Sequence, residues 1–319
     1  MARRILVARQ LPEAVEARAQ RDYDATLNLD DAQYDADELV HRAAGHEALV
    51  ICSSEKLTPE VIARLPAEIA IVATFSVGFE HIDVPAARER GLVVTNTPDV
   101  LTDATADVAF LLLLAAARRA SEAERVLRAR AWPRWTSRWL LGTEVTGKRL
   151  GIFGMGRIGR ALAQRARGFE MTVHYHNRHR LPPEQEAGAV FHADPDDMLP
   201  HCDFLSMNCP ATPETHHWLN AERIARLPDG AIVGNAARGA VVDDDALIAA
   251  LGSGKLAAGG LDVYEGEPDI DARYYGIENA VLLPHIGSAT VETRDAMGFK
   301  CLDNLDAFFA GREPPDKLT

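Results

Sequence analysis

Apolar residues along this chain come in short, unbroken blocks separated by stretches with helical spacing. Ile5-Leu6-Val7-Ala8, Ala48-Leu49-Val50-Ile51-Cys52, Ile69-Ala70-Ile71-Val72-Ala73 and Leu92-Val93-Val94-Thr95 are strand-length and apolar on both faces. Such blocks fit strands covered on both sides, as in a parallel sheet. Gly91 stops the helical stretch before the fourth block. A second series starts at Lys148, with strand-like runs at 150–153, 171–175, 204–207, 231–233, 260–263 and 281–283. Strands alternating with helices, twice over, predict an α/β fold of two doubly wound parallel-sheet domains. Between the two series the spacing predicts one long helix over 102–127. Its middle is apolar all round, which places it at a domain or subunit interface. The tail, 291–310, reads as a single amphipathic helix.

Composition narrows the function classes. The chain has 319 residues, enough for about two domains. Its net charge of −13 argues against a nucleic-acid partner, which would need a basic footprint, and against anionic membranes. Local Arg residues can still serve an anionic substrate. The four Cys (Cys52, Cys202, Cys209, Cys301) form no CxxC pair and read as thiols of a reducing compartment. The N-terminal apolar stretch is too short for a secretion signal. The run from Val108 to Ala117 is too short to span a bilayer. Together these features lead to the expectation of a cytoplasmic protein. Three of the four Trp (Trp132, Trp135, Trp139) crowd one segment, either a loop packed on its own aromatics or an arm against a second subunit.

Gly154-Met155-Gly156-Arg157-Ile158-Gly159 matches GxGxxG directly after a strand run and at the opening of a helix. In that context the first Gly allows the tight turn and the second lets the backbone approach a pyrophosphate. The third permits close helix–strand packing. An Asp or Glu about 20 residues on would bind the ribose 2′-hydroxyl of NAD. Here Asn177 stands in that place, with Arg178 and Arg180 beside it. A carboxylate repels a 2′-phosphate and Arg pairs with it, so NADP is the expected cofactor, with NAD possible.

Three later strand ends carry polar residues suited to one reaction: Arg238 after 231–233, Glu267 after 260–263 and His285 after 281–283. Reducing a 2-oxo acid requires a planar cation for the carboxylate, a proton donor for the carbonyl oxygen, and a carboxylate that orients that donor. Arg, His and Glu supply these.

With these motifs on the page, the chain resembles the D-isomer-specific 2-hydroxyacid dehydrogenase family. The resemblance covers nearly its whole length. It is carried by Ser76-Val77-Gly78-Phe79-Glu80-His81-Ile82-Asp83, the run from Asn96 to Asp103, the Gly-rich turn, Asn235-Ala236-Ala237-Arg238-Gly239, the run from Gly260 to Pro268, and the run from Pro284 to Thr290. Within the family it is most similar to the glyoxylate/hydroxypyruvate reductase and glycerate dehydrogenase branch. The resemblance implies a Rossmann cofactor domain (99–288) inserted into a flavodoxin-like substrate domain (1–98 plus 289–319), a cleft between them, and a homodimer clasped by the long helix and the Trp arm. It implies that Val77 and Gly78 amides bind the substrate carboxylate with Arg238, and that Asp262 sits near the nicotinamide. It also implies that Trp139 restricts the partner subunit's pocket. Cys209, Ala236 and Gly287 complete the expected cofactor contacts, and Ser288 joins His285 on the substrate. The alternatives are a sister enzyme for phosphite or a bulkier 2-oxo acid, and, from another class, a dinucleotide-sensing corepressor-like protein.

Overall fold

The computed structural model describes residues 2–319. It divides into two compact units: one runs to Leu101 and resumes over Ser288–Thr319, the other is Thr102–Gly287.

In the first unit β1 (Arg4–Val7), β2 (Asp24–Leu27), β3 (Ala48–Ile51), β4 (Ile71–Thr74) and β5 (Val93–Thr95) form an all-parallel sheet in the order β2-β1-β3-β4-β5. This is the flavodoxin-like doubly wound order. The central strands β3 and β4 are buried at every position, which is why their sequence is continuously apolar. β2 escapes sequence detection because Asp24-Ala25-Thr26-Leu27 is polar and at the sheet edge. The C-terminal helix Val291–Phe309 is capped by Thr290 and buries Met297, Cys301, Leu302 and Leu305.

In the second unit β6 (Arg149–Phe153), β7 (Thr172–His176), β8 (Val190–Phe191), β9 (Phe204–Met207), β10 (Ala231–Asn235), β11 (Leu256–Leu261) and β12 (Ala280–Leu282) are again all parallel. Their order is β12-β11-β10-β9-β6-β7-β8. The chain reverses direction of winding between β6 and β9, the crevice where such sheets bind ligands. The helix Thr102–Ala117 lies on β10 and β11. A Cβ on Gly234 would come 2.7 Å from Leu113, and one on Gly260 would come 2.8 Å from Leu112. Glycine at both positions is what lets the helix sit so close.

The single helix expected over 102–127 is corrected to two, Thr102–Ala117 and Ala120–Arg128. Arg119 between them adopts a left-handed backbone, φ +51°. The Thr143 amide caps the exposed carbonyl of Ala117 at 2.8 Å, and Arg119 pairs with Glu122. No Gly or Pro announces this break, so only the tertiary hydrogen bond reveals it. Among the described residues no helix is long and apolar enough to cross a membrane, and all four Cys are free thiols.

Candidate active site

The Gly-rich turn joins the end of β6 to the helix Arg157–Arg167. Gly154 has φ +99°, and a Cβ there would lie 2.6 Å from the Cys209 amide nitrogen at the end of β9. A Cβ on Gly159 would lie 2.5 Å from the Gly154 carbonyl oxygen, whereas one on Gly156 would meet nothing within 4 Å. Two glycines are therefore demanded by packing, and the middle one faces open space. Gly156 is also the helix N-cap and makes no side-chain cap, so the amides of the first turn keep their donors. The turn is a cradle shaped for a pyrophosphate, and the residues present fit a dinucleotide. Met155 is fully buried, Ile158 packs against the core, and Arg157 is exposed.

At the end of β7 the structure revises the expectation for two side chains. Asn177 Oδ1 accepts the Met155 N–H at 2.6 Å, and Asn177 Nδ2 donates to the Met155 carbonyl at 3.3 Å. It clamps the turn rather than standing free for a ribose. Arg180 is held by Glu186 through two bonds, 2.7 and 3.1 Å, and Tyr175 donates to the same carboxylate. The Arg180 guanidinium stays exposed at the surface within that pair, so it must share Glu186 to meet a cofactor. Arg178 remains exposed beside the turn. Burial raises the Cys209 thiol to about 12, so Cys209 stays neutral and contributes backbone and volume only.

The three strand ends converge within this unit. Asn235, at the end of β10, accepts the Ala237 N–H at 3.0 Å and donates to the Arg238 carbonyl at 2.9 Å, folding the Ala236–Arg238 turn. Gly239 then passes so close to β11's exit that a Cβ would lie 1.8 Å from the Tyr264 carbonyl carbon. After β11, Asp262 is 1 % exposed and accepts the amides of Ile286 (2.7 Å) and Gly287 (2.8 Å). Burial raises the Asp262 carboxyl above its ordinary value, against the lowering pull of those amides and of the His285 charge. His285, after β12, donates its own amide to the Asp262 carbonyl at 2.8 Å and takes φ +53°. Its Nδ1 donates to Glu267 Oε1 at 2.6 Å. Burial pushes the Glu267 carboxyl up, but the His285 hydrogen bond, with the His285 and Arg238 charges, outweighs it and leaves the group below the usual range. Arg238, Glu267, His285 and Asp262 thus form one electrostatically linked group.

In the first unit the Ser76–Gly78 turn at the end of β4 is held by side chains to which the sequence assigned no role, and Thr74 lies outside the motifs quoted above. Thr74 Oγ1 bonds Ser76 Oγ (2.8 Å) and His81 Nε2 (3.0 Å), Ser76 donates to the Gly78 carbonyl (2.7 Å), and Asn96 Nδ2 donates to the Val77 carbonyl (2.8 Å). The turn's carbonyls are consumed inward. Among the described residues the Val77 and Gly78 amides meet no acceptor. Trp132 and Trp139 stack at 6.4 Å, and Trp135 is 78 % exposed. Ser288 is half-buried and its carbonyl accepts the Thr290 amide.

Residues 110–287 match the family described as D-isomer specific 2-hydroxyacid dehydrogenase, NAD binding domain. The chain is 45 % identical over 313 residues to a glycerate dehydrogenase of Hyphomicrobium methylovorum, covering 98 % of this chain and 97 % of the relative. It is 43 % identical over 317 residues to a glyoxylate reductase of Thermococcus kodakarensis, covering 98 % and 95 %. Among solved structures it is similar to an NADPH-dependent glyoxylate/hydroxypyruvate reductase of Sinorhizobium meliloti in complex with NADP and malonate. That similarity has a TM-score of 0.89 and 34 % identity, over 100 % of this chain and 97 % of that one.

Proposed function

The chain belongs to the D-isomer-specific 2-hydroxyacid dehydrogenase family, and on that premise we propose that it reduces small 2-oxo acids, glyoxylate or hydroxypyruvate, to 2-hydroxy acids with NADPH. The observation that carries the reading is the 2.6 Å bond between His285 Nδ1 and Glu267 Oε1 at the strand ends of a dinucleotide-binding sheet. A bound nicotinamide supplies the hydride that reaches the substrate's C2. Arg238 clamps the carboxylate with its planar fork, fixing which face of C2 is presented. His285, protonated and tied through Nδ1 to Glu267, gives its Nε2 proton to the carbonyl oxygen as the hydride arrives. The bond order of that carbonyl falls from two to one, and the product is the neutral 2-hydroxyl with its carboxylate intact. The Val77 and Gly78 amides, which meet no acceptor among the described residues, suit a carboxylate oxygen. Asp262, through the two amides it accepts, holds the backbone of 285–287 and so aims the His285 ring.

NADPH over NADH is supported by Asn177 in place of a carboxylate and by the exposed Arg178. The relative that binds NADP lends further support. The exposed Trp arm supports a homodimer in which Trp139 narrows the pocket of the partner. The free thiols and acidic surface suit a cytoplasmic enzyme. The test is the loss of nicotinamide absorbance with NADPH, and separately NADH, across glyoxylate, hydroxypyruvate, pyruvate and phenylpyruvate. Turnover on glyoxylate and hydroxypyruvate with NADPH is expected; none on any 2-oxo acid overturns the reading.

A further inference from the structure

One cluster of chemically capable side chains lies outside the residues assigned to catalysis. Among the described residues, His216, His217 and Glu265 offer ligand atoms that all lie within 4.8 Å of one another. His217 Nε2 donates to Glu265 Oε2 at 2.8 Å, and His216 Nε2 stands 3.8 Å from Glu265 Oε1. The two imidazoles stack at 3.9 Å with 26° between their planes. Both nitrogens thus address the two oxygens of one carboxylate. All three groups are partly exposed, with side-chain exposures of 54, 37 and 44 %. Solvent can reach them and fill further coordination positions.

The arrangement is built into the backbone. His217 takes φ +47°, a conformation that β-carbon-bearing residues rarely adopt, and its amide donates to the Ala240 carbonyl at 2.8 Å. Thr215 Oγ1 accepts the Thr212 amide (2.8 Å) and donates to the Pro210 carbonyl (2.7 Å), and the His216 amide closes onto the Thr212 carbonyl (2.9 Å). The Leu219 amide ties the end of the loop to Val241 at 3.1 Å. From the other side, the backbone of Glu265 is held against Gly239, whose Cβ would lie 2.1 Å from the Glu265 nitrogen. Two histidines from a braced loop therefore meet one carboxylate from a braced turn.

We propose that His216, His217 and Glu265 form a site for a divalent transition ion of borderline softness, Zn²⁺, Co²⁺ or Ni²⁺. Two imidazoles and a carboxylate, completed by water, are the donor set such ions take. Ligands at about 2.0–2.2 Å from a tetrahedral ion stand about 3.3 Å apart, so the present spacings require only small side-chain rotations. The His217 proton now given to Glu265 moves through solvent to Nδ1 as Nε2 turns to the metal. The ion ties loop 210–219 to turn 264–268, which also carries Glu267. Hard ions that prefer all-oxygen shells are not retained.

The experiment is titration of the full, tag-free chain with CoCl₂, followed by visible absorption and calorimetry, with MgCl₂ as the contrast. One Co²⁺ per chain is expected at micromolar affinity, weakening as pH falls because both imidazoles must be neutral. His216→Gln and Glu265→Gln each weaken it at least ~10-fold, whereas His192→Gln and Glu267→Gln leave it within ~3-fold. Zn²⁺ raises the melting temperature of the wild type and not of His216→Gln. Binding no tighter than ~1 mM, or an affinity unmoved by His216→Gln and Glu265→Gln, overturns the proposal. Dehydrogenase activity enters none of these readouts, so the site and the proposed function stand or fall separately.

Discussion

Two regions at the strand ends of the second unit, the exits of β11 and β12 and the exit of β7, are built in opposite ways. At the exits of β11 and β12 the carboxylates of Asp262 and Glu267 are both committed. Asp262 holds the 286 and 287 amides, and Glu267 holds His285. At the exit of β7 the polar groups are spent on structure. Asn177 clamps the turn and Arg180, exposed like Arg178, pairs with Glu186. The first region is pre-organised for a particular proton transfer, so small changes there are costly. In the proposed function the second region acts on cofactor choice through a solvated charge, whose contribution water and salt dilute. On the proposed function, substitutions at the first region are expected to cost more than substitutions at the second.

The contrast is broken most directly at His285. His285→Ala is expected to lower turnover about 10³-fold with NADPH and hydroxypyruvate, the usual scale for a lost general acid. A turnover number near that of wild type would remove the basis for the assignment. Next in size is Arg238→Ala, expected to lower kcat/KM about 100-fold with most of the loss in KM, because a charge-assisted clamp is lost. Unchanged KM in steady-state kinetics would count against the clamp. Glu267→Gln should lower kcat about 10-fold. A kcat equal to that of wild type would count against Glu267 as the group that orients His285.

At the β7 exit the effects are smaller, and the two arginines are expected to part company. Arg178→Ser should reduce the NADPH-over-NADH ratio of kcat/KM about 10-fold, and Arg180→Ser less than about 3-fold. Equal effects, or a larger one at Arg180, would reverse the assignment made from the Glu186 pair. Along β7 itself, burial and the neighbouring His192 and His201 lower the His174 imidazole to about 4. The unfolded chain takes up that proton from about pH 6.5, and the native one only near pH 4. Stability associated with neutral His174 is therefore complete above pH 6.5 and lost as pH falls through that window. The loss is of order 1–2 kcal/mol. Urea midpoints at pH 7 and pH 4.5 should converge in His174→Gln, and identical pH slopes in both proteins would exclude it.

Much of this architecture was legible in the chain. Blocks apolar on both faces announce central strands because such strands are buried twice, as β3, β4 and β9 are. The Gly-rich turn was legible because its glycines answer to local sterics. Arg238, Glu267 and His285 were legible because each follows a recognisable strand run. What escaped were elements whose stability is borrowed. β2 is an edge strand with polar residues, and the break at Arg119 depends on the distant Thr143 amide. Thr74, His81 and Asn96 look like ordinary polar residues until the chain folds them around one turn.

By itself the sequence determined the doubly wound α/β plan, the Gly-rich turn and the polar side chains that follow three strand runs, because these depend on periodicity, on glycine stereochemistry and on residue type. Only the tertiary structure decided which polar groups are free. Arg178 and Arg180 are chemically equal, two residues apart and both exposed, yet only Arg180 is paired with Glu186. His217 and Glu265 are far apart in the chain and within a hydrogen bond in space. Pairing is a property of distance in three dimensions, and electrostatic partners are chosen there.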